Sequence, residues 1–385
     1  MRVARFRRRL SILVSVTASL VMLTQPVVAD SFVDWYSAPV PQSSPSPTSA
    51  SWKFSHPAPP VSPLMPIMRQ GLDLLVRRSQ GKFSYKEYGG GVLHGQLEAF
   101  RALRRGISDY ALCYGSLEAN GFEYTKALTQ YGVAAKNPLV TTRVLAELAP
   151  RYFAAEFEAK GVYYSASAAS APSRILTKKP VHNIGDLKGL KLITHGIPAE
   201  TAKYYGYTPI NISFTETYTA LQQGIVDGVI GIDPAFIAFK LYEQADYLTL
   251  VDIAGGAVDL CINRKSFDSL SPQNKATLYS IQQPLMMSIA KKAVSDLSRR
   301  ANAVYIKRGI ELITPTPEEI TEWNSVGLKS RAPWISSCKK QGKDCEALLK
   351  DIEQLKQKYN NYTDDALMNL AIQQPVTGII STYNP

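Results

Sequence analysis

The chain has 385 residues, 45% of them hydrophobic, with 43 Lys or Arg against 32 Asp or Glu and a formal charge of +11. That length holds two lobes. Beyond the N-terminus the basic excess is scattered, as at Lys178-Lys179 and Lys339-Lys340, with no basic stripe interleaved with aromatics, so nucleic acid is not an expected partner.

The chain opens with Arg2, Arg5, Arg7, Arg8 and Arg9, then an apolar run over 10–23, then Val27-Val28-Ala29. This order reads as an export signal over 1–29, cleaved before Asp30, and places the mature protein in the periplasm. The alternative, an uncleaved anchor, needs about 20 apolar residues, more than the run supplies. Removing five arginines and no acid lowers the formal charge from +11 to +6. No Cys adjoins the cleavage point to suggest a lipoprotein. Residues 30–50, rich in Ser and Pro, read as a flexible spacer.

From Trp52 the pattern is strand (Trp52, Phe54), helix over 63–78, strand at 83–88, helix over 96–105 with Leu97, Phe100 and Leu103 inward, and strand over 108–113. This is the alternation of an α/β lobe with a mainly parallel sheet. It restarts with strand-like runs at 174–177, 190–194, 225–230 and 247–251, and helices over 198–205 and 215–223. Ser271-Pro272 opens a helix reaching about residue 308, with a kink expected at Pro284. A helix of that length can tie two lobes together.

The expected architecture is therefore a two-lobed α/β fold of the periplasmic-binding-protein type. Two mainly parallel sheets are flanked by helices, a ligand cleft lies between the lobes, and a long kinked helix spans both. Lobe I takes 51–172 and about 255–295; lobe II takes 173–254 and about 296–385, including the C-terminal helices. Hinges are expected near 171–174 and 254–258.

Motifs of catalysis are missing. The histidines His56, His94, His182 and His195 form neither HExxH nor another metal-spaced pair. There is no G-x-S-x-G elbow and no Walker loop, and Gly89-x-Gly91-x-x-x-Gly95 misses dinucleotide spacing by a residue. No metal, no cofactor and no enzyme activity are expected. Cys338 and Cys345 flank a Gly-containing turn and read as a small disulfide-closed loop. Cys113 and Cys261 lie in strand-like runs, as two buried thiols or a second bridge.

The stretch Asp186-Leu-Lys-Gly-Leu-Lys-Leu, then Gly206-Tyr-Thr-Pro-Ile, then Glu216-Thr-Tyr-Thr-Ala-Leu-Gln-Gln-Gly-Ile-Val-Asp-Gly228 resembles the central signature of the TRAP transporter substrate-binding proteins, the DctP family. Weaker blocks extend the resemblance from Trp52 to about Tyr359. It implies a periplasmic solute receptor that binds a small organic acid between its lobes. Its partners would be the permease subunits of a TRAP-type secondary transporter. A ligand-sensing receptor for a signalling partner and an enzyme are the alternatives.

The sequence departs from this pattern at the ligand. Where the family has an arginine that clamps the ligand carboxylate, this chain has Ile193; where it has Glu-Asn, this chain has Ile230-Gly231. Arg174 matches a second family arginine and is expected either as the anion clamp or as a surface charge. His195 faces the same side of its strand as Ile193 and could replace some lost polarity. Tyr218 reads as a cleft wall or a packing aromatic. The candidate ligand-binding residues are Arg174, Tyr218, His195, Thr194, Ile193, Tyr88, Tyr114 and His56. The ligand either presents a neutral group near Ile193, or places its acid against Arg174 or a protonated His195.

Overall fold

Trp52 and Phe54 alternate with polar residues, and both are buried on a strand, β1 (Ala50–Ser55), that the prolines from Pro57 onward prevent from continuing. The computed structural model describes residues 31–37, 48–194 and 199–384. The remaining strands are β2 (Phe83–Tyr88), β3 (Tyr110–Cys113), β4 (Val162–Ala169), β5 (Arg174–Thr177), β6 (Lys191–Thr194), β7 (Thr208–Ile210), β8 (Gly228–Gly231), β9 (Tyr247–Thr249), β10 (Ala257–Asn263) and β11 (Glu311–Ile313). They form two sheets, ordered β2-β1-β3-β10-β4 and β11-β9-β5-β8-β6-β7.

Each sheet is parallel but for one reversed strand, β10 in the first and β5 in the second. These are the strands reached by crossing between lobes. β4 ends the first passage through lobe I and β5 begins lobe II; β10 begins the return. The two crossings run side by side and bond to each other: Ser170 N to Gly256 O at 2.8 Å, Ser173 N to Ala254 O at 2.6 Å, and Ile253 N to Ser173 O at 3.2 Å.

A third tie is the helix opened by Ser271, whose side chain accepts from Asn274 N at 3.1 Å. Helical winding runs unbroken through Pro284, where a kink was expected. It departs from α geometry further on, in a π-helical segment at Ile289–Ser295, before resuming over Asp296–Lys307. A fourth tie is the helix Pro317–Lys329. Its Trp323 lies in the core of lobe II, while its Gly327 lies under Tyr131 of lobe I, so close that a Cβ would fall 2.3 Å from that ring.

β4 was not anticipated. Its Val-Tyr-Tyr-Ser-Ala-Ser-Ala-Ala sequence ends in small residues of low strand propensity. Every position is nonetheless buried, because the helices Pro138–Leu148 and Pro272–Ser288 pack on it. Leu97, expected inward, is 52% exposed, because 96–98 is a 3-10 turn and the α-helix begins at Ala99.

Two boundaries differ from the sequence reading. Within the expected spacer, Ser31–Ser37 is a helix that packs against Leu64–Arg78 and Asp364–Gln373, burying Phe32 and Trp35. Those two aromatics supply the apolar area that the Ser/Pro composition around them hides. The C-terminal helices Ala332–Lys340, Cys345–Tyr359 and Asp364–Gln373, assigned above to lobe II, join the core of lobe I through Trp334, Leu348, Ile352 and Leu367. Amphipathic spacing shows which face is buried and says nothing about which lobe covers it.

Two disulfides are present, Cys113–Cys261 and Cys338–Cys345. The first joins neighbouring strands across 148 residues; the second closes a loop with a separation of 7. In the chain-entropy account the long loop contributes about 5 kcal/mol and the short one about 2 kcal/mol. Replacing Cys113 and Cys261 together by Ala should therefore lower the denaturation midpoint clearly more than replacing Cys338 and Cys345. Equal losses in urea titrations would contradict that ranking.

Asp259, 2% exposed on β10, accepts hydrogen bonds from Gly115 N at 2.9 Å and from the Ser167 hydroxyl. Burial pushes its carboxyl up from 3.8 to about 6. Between those values the folded protein keeps a proton that the unfolded chain has released, so this group's contribution falls as pH rises through that window. Asp259→Asn should be more stable than the parent at pH 7.5, by about 1–3 kcal/mol, with the gain vanishing below about pH 4. Chemical denaturation at both pH values is the check; a gain independent of pH would contradict the assignment.

Candidate functional site

The lobes enclose a cavity of ≈ 180 Å³ whose walls come from both sheets, the crossings and the long helix. Pro57, Ala58 and Pro59 form one wall because the chain leaving β1 has no ladder donors to offer at its prolines. That loop is fixed instead by its carbonyls: His56 O accepts from Gly91 N at 3.1 Å and Ala58 O from Gly90 N at 3.2 Å. Lobe II supplies the facing wall, Gly231 and Ile232 at the end of β8 and then Pro234, Ala235 and Phe239. Ile289, Ala293 and Val294 of the π-helical segment close the back.

Among the described residues that line this cavity there is no Asp, Glu, Lys, Arg or His. Its polar groups are neutral. Ser170, 8% exposed, has a hydroxyl with no hydrogen-bond partner, and the buried Nε2 of Gln96 has none either. Tyr114 also faces the cavity. Burial, and secondarily the nearby Asp259 carboxylate, push its phenol well above the ordinary range.

Of the residues singled out from sequence, Tyr114 lines this space and the other described ones do not. His56 is 2% exposed and lies one residue before the wall. Its Nε2 is 3.1 Å from Glu87, whose carboxylate is gripped by Arg69 at 2.7 and 2.8 Å. Loss of solvation holds His56 below its usual pKa, against the opposing pull of Glu87. Tyr88, half-buried at the end of β2, lies under the Lys86 ammonium at 5.2 Å. Ile193 is fully buried in the core of lobe II with Leu176, Val229 and Phe236 and does not line the cavity. Thr194, also buried, is not part of the wall. Tyr218 packs on the outer layer of lobe II; its hydroxyl accepts from Gln244 at 2.8 Å and meets Glu243 at 3.3 Å. His195 lies outside the described residues.

Arg174 is the main correction. Its Nη1 donates to Asn302 Oδ1 at 3.0 Å and pairs with Asp233 Oδ1 at 3.3 Å. Successive residues of an extended chain point to opposite sides: Ser173 lines the apolar cavity, whereas Arg174 lines a separate polar cleft of ≈ 620 Å³ with Lys136, Asp252 and Arg299. An anion clamp in the interlobe cavity is therefore not its arrangement here. Asp227, beside the signature glycine Gly228, bonds Lys191 N at 2.8 Å and serves the backbone.

Ser170, Gln96 and the prolines belong to no motif in the sequence and were not among the expected residues. The available signal was the position of the crossings: Ser173 and 255–258, within the expected hinges, line the cavity, and Ser170 directly precedes them.

Comparison with known proteins places this architecture. Residues 54–330 match the family described as bacterial extracellular solute-binding protein, family 7 (DctP). The chain is 30% identical over 140 residues to the 2,3-diketo-L-gulonate-binding periplasmic protein YiaO of Escherichia coli, covering 36% of this chain and 42% of that protein. It is 27% identical over 210 residues to the C4-dicarboxylate-binding protein DctB of Bacillus subtilis, covering 52% and 57%. The match thus spans less than two thirds of either relative. Among solved structures, a TRAP solute-binding protein of a marine metagenome, specific for aromatic acid ligands, superposes with a TM-score of 0.75 at 20% identity, covering 81% of this chain and 100% of that one. A TRAP periplasmic solute-binding protein from Bordetella bronchiseptica with bound mandelate gives 0.73 at 23% identity, covering 80% and 99%. The chain belongs to the bacterial extracellular solute-binding proteins of family 7, the DctP family.

Proposed function

We propose that this protein is a periplasmic solute receptor that captures a small molecule between its lobes and delivers it to the membrane subunits of a TRAP-type secondary transporter. The observation that carries the reading is the cavity walled by both lobes and floored by their crossings. A molecule seated there touches Pro57 and Ala58 on one side and Ile232 and Ala235 on the other, so it favours the arrangement in which the lobes approach. Closure then reports occupancy to a membrane partner, and opening against that partner releases the cargo.

The same reading gives residues 1–29 the role of an export signal, and both disulfides suit an oxidising compartment. The family and its structural neighbours are binding proteins, and no His/Cys/Asp/Glu group able to hold a metal is found among the described residues. Binding and release, without bond-making, is the chemistry that the neutral, apolar wall supports.

A thermal-shift screen of small aromatic and aliphatic metabolites should yield stabilising compounds, each recovered unchanged after incubation. X-ray scattering with a saturating hit should show a smaller radius of gyration than the free protein. Ala235→Trp, which places an indole in the cavity from lobe II, should abolish both effects. A hit that stabilises the protein with no compaction, or equally well in Ala235→Trp, would contradict capture between the lobes.

A further inference from the structure

We infer that the interlobe cavity selects an uncharged ligand: a mainly apolar body about the size of one substituted ring, carrying a neutral oxygen or amide group. This rests on the receptor reading above and adds the chemical class of the cargo.

Size comes first. A dry apolar cavity of about 150 Å³ holds a benzene ring, and the space here is ≈ 180 Å³. The described wall offers prolines, alanines, Leu64, Phe239 and Ile289 as its apolar surface.

Charge is the deciding feature. A carboxylate taken out of water needs a cation or several strong donors to offset its lost hydration. None of the described lining residues is cationic. Two guanidinium groups close in sequence to the walls are already engaged elsewhere, Arg69 with Glu87 and Arg174 with Asp233 and Asn302. Ile193, which stands where the family resemblance implies an arginine, is sealed in the core.

Ionisable groups of both signs lie directly behind the walls: Arg174, Lys292 and Lys240 each adjoin a lining residue, Ser173, Ala293 and Phe239, and two acids do as well. Asp259 bonds the backbone of Gly115, between the lining residues Tyr114 and Ser116; Asp233 sits between the lining residues Ile232 and Pro234. Asp259, held by neutral donors alone, opposes an anion, whereas Asp233 is offset by its pairing with Arg174. Yet neither carboxylate lines the cavity, so an ammonium would find no direct partner either.

What the cavity does present is a small set of neutral groups without partners. Gln96 Nε2 donates, and the Ser170 hydroxyl donates or accepts. Tyr114 also lines the cavity, and its phenol is a third neutral polar group there. A buried donor left unpaired is costly, and a ligand carbonyl, amide or hydroxyl satisfies it. This set orients a neutral head group while the apolar body fills the remainder.

The test is calorimetric titration at pH 7.5 with matched pairs that share a skeleton and differ in charge: benzamide and benzoate, 2-phenylethanol and phenylacetate, methyl 4-hydroxybenzoate and 4-hydroxybenzoate, hexanamide and hexanoate. The neutral member of at least one pair should bind tenfold or more tightly than its acid. Gln96→Leu and Ser170→Val should each weaken that neutral ligand at least fivefold, with the circular dichroism spectrum unchanged. Any acid that binds more tightly than its neutral partner overturns the charge assignment and leaves the receptor reading standing. If no member of either series binds or compacts the protein, and no compound of the wider screen does so, the receptor reading itself falls.

Discussion

The structure depends on two short chain crossings that bond to each other. Residues 170–173 leave lobe I and residues 250–256 return to it, and three backbone hydrogen bonds hold them side by side. Because they are paired, they act as one narrow bridge. Because each enters its new lobe as the single reversed strand of that sheet, β5 or β10, the bridge is continuous with both cores. Rotation about such a bridge changes the gap between lobes while leaving either sheet intact, which is the shear-free closure that a hinge of few residues allows. The long helix and the helix Pro317–Lys329 add two further ties, the second through the close approach of Tyr131 to Gly327. The cavity lies against that bridge, so its contents and the lobe angle are mechanically one variable.

The second theme is where charge has been placed. The chain carries many ionisable side chains, yet those beside the cleft are paired with each other or turned aside. Arg69, Glu87 and His56 form one group behind the first wall. Arg174, Asp233, Asn302 and Tyr305 form another behind the second. Asp259 is buried under the floor with only neutral donors. Partners within these groups satisfy one another in a low-dielectric setting, so the cavity feels little net attraction for an ion. The DctP relationship and the uncharged character of the described wall are thus separate observations, the first carried by scaffold residues such as Asp227 and Gly228 and the second by the residues that line the cavity.

Much of the scaffold was legible because it follows from periodicity. The strand-helix alternation, its restart after residue 173, and the Ser271-Pro272 helix opening are local patterns with local causes. The signature around Asp186–Gly228 added the family resemblance, and its Asp186 and Asp227 here bond backbone N–H groups. β4 was missed because its small residues have low strand propensity and owe their burial to tertiary packing against β10 and the helices Pro138–Leu148 and Pro272–Ser288. The placement of the last three helices was missed because an amphipathic face does not name its partner. At the site, Tyr114 lines the interlobe cavity and Arg174 lines the polar cleft instead: a single-residue difference, Ser173 or Arg174 toward the cavity, is decided by the parity of an extended crossing. Ser170 and Gln96 carry no sequence signal of their own. They matter because the fold buries them without partners.

The most direct measurement is a crystal structure of the protein purified from the exported fraction with whatever small molecule it carries, solved without added ligand. The account predicts density between the loop after β1 and Ala235, with its polar end within hydrogen-bond reach of Ser170 or Gln96. Density instead in the polar cleft beside Arg174 and Lys136, or an acid whose carboxylate displaces Asp233 from Arg174, would contradict it.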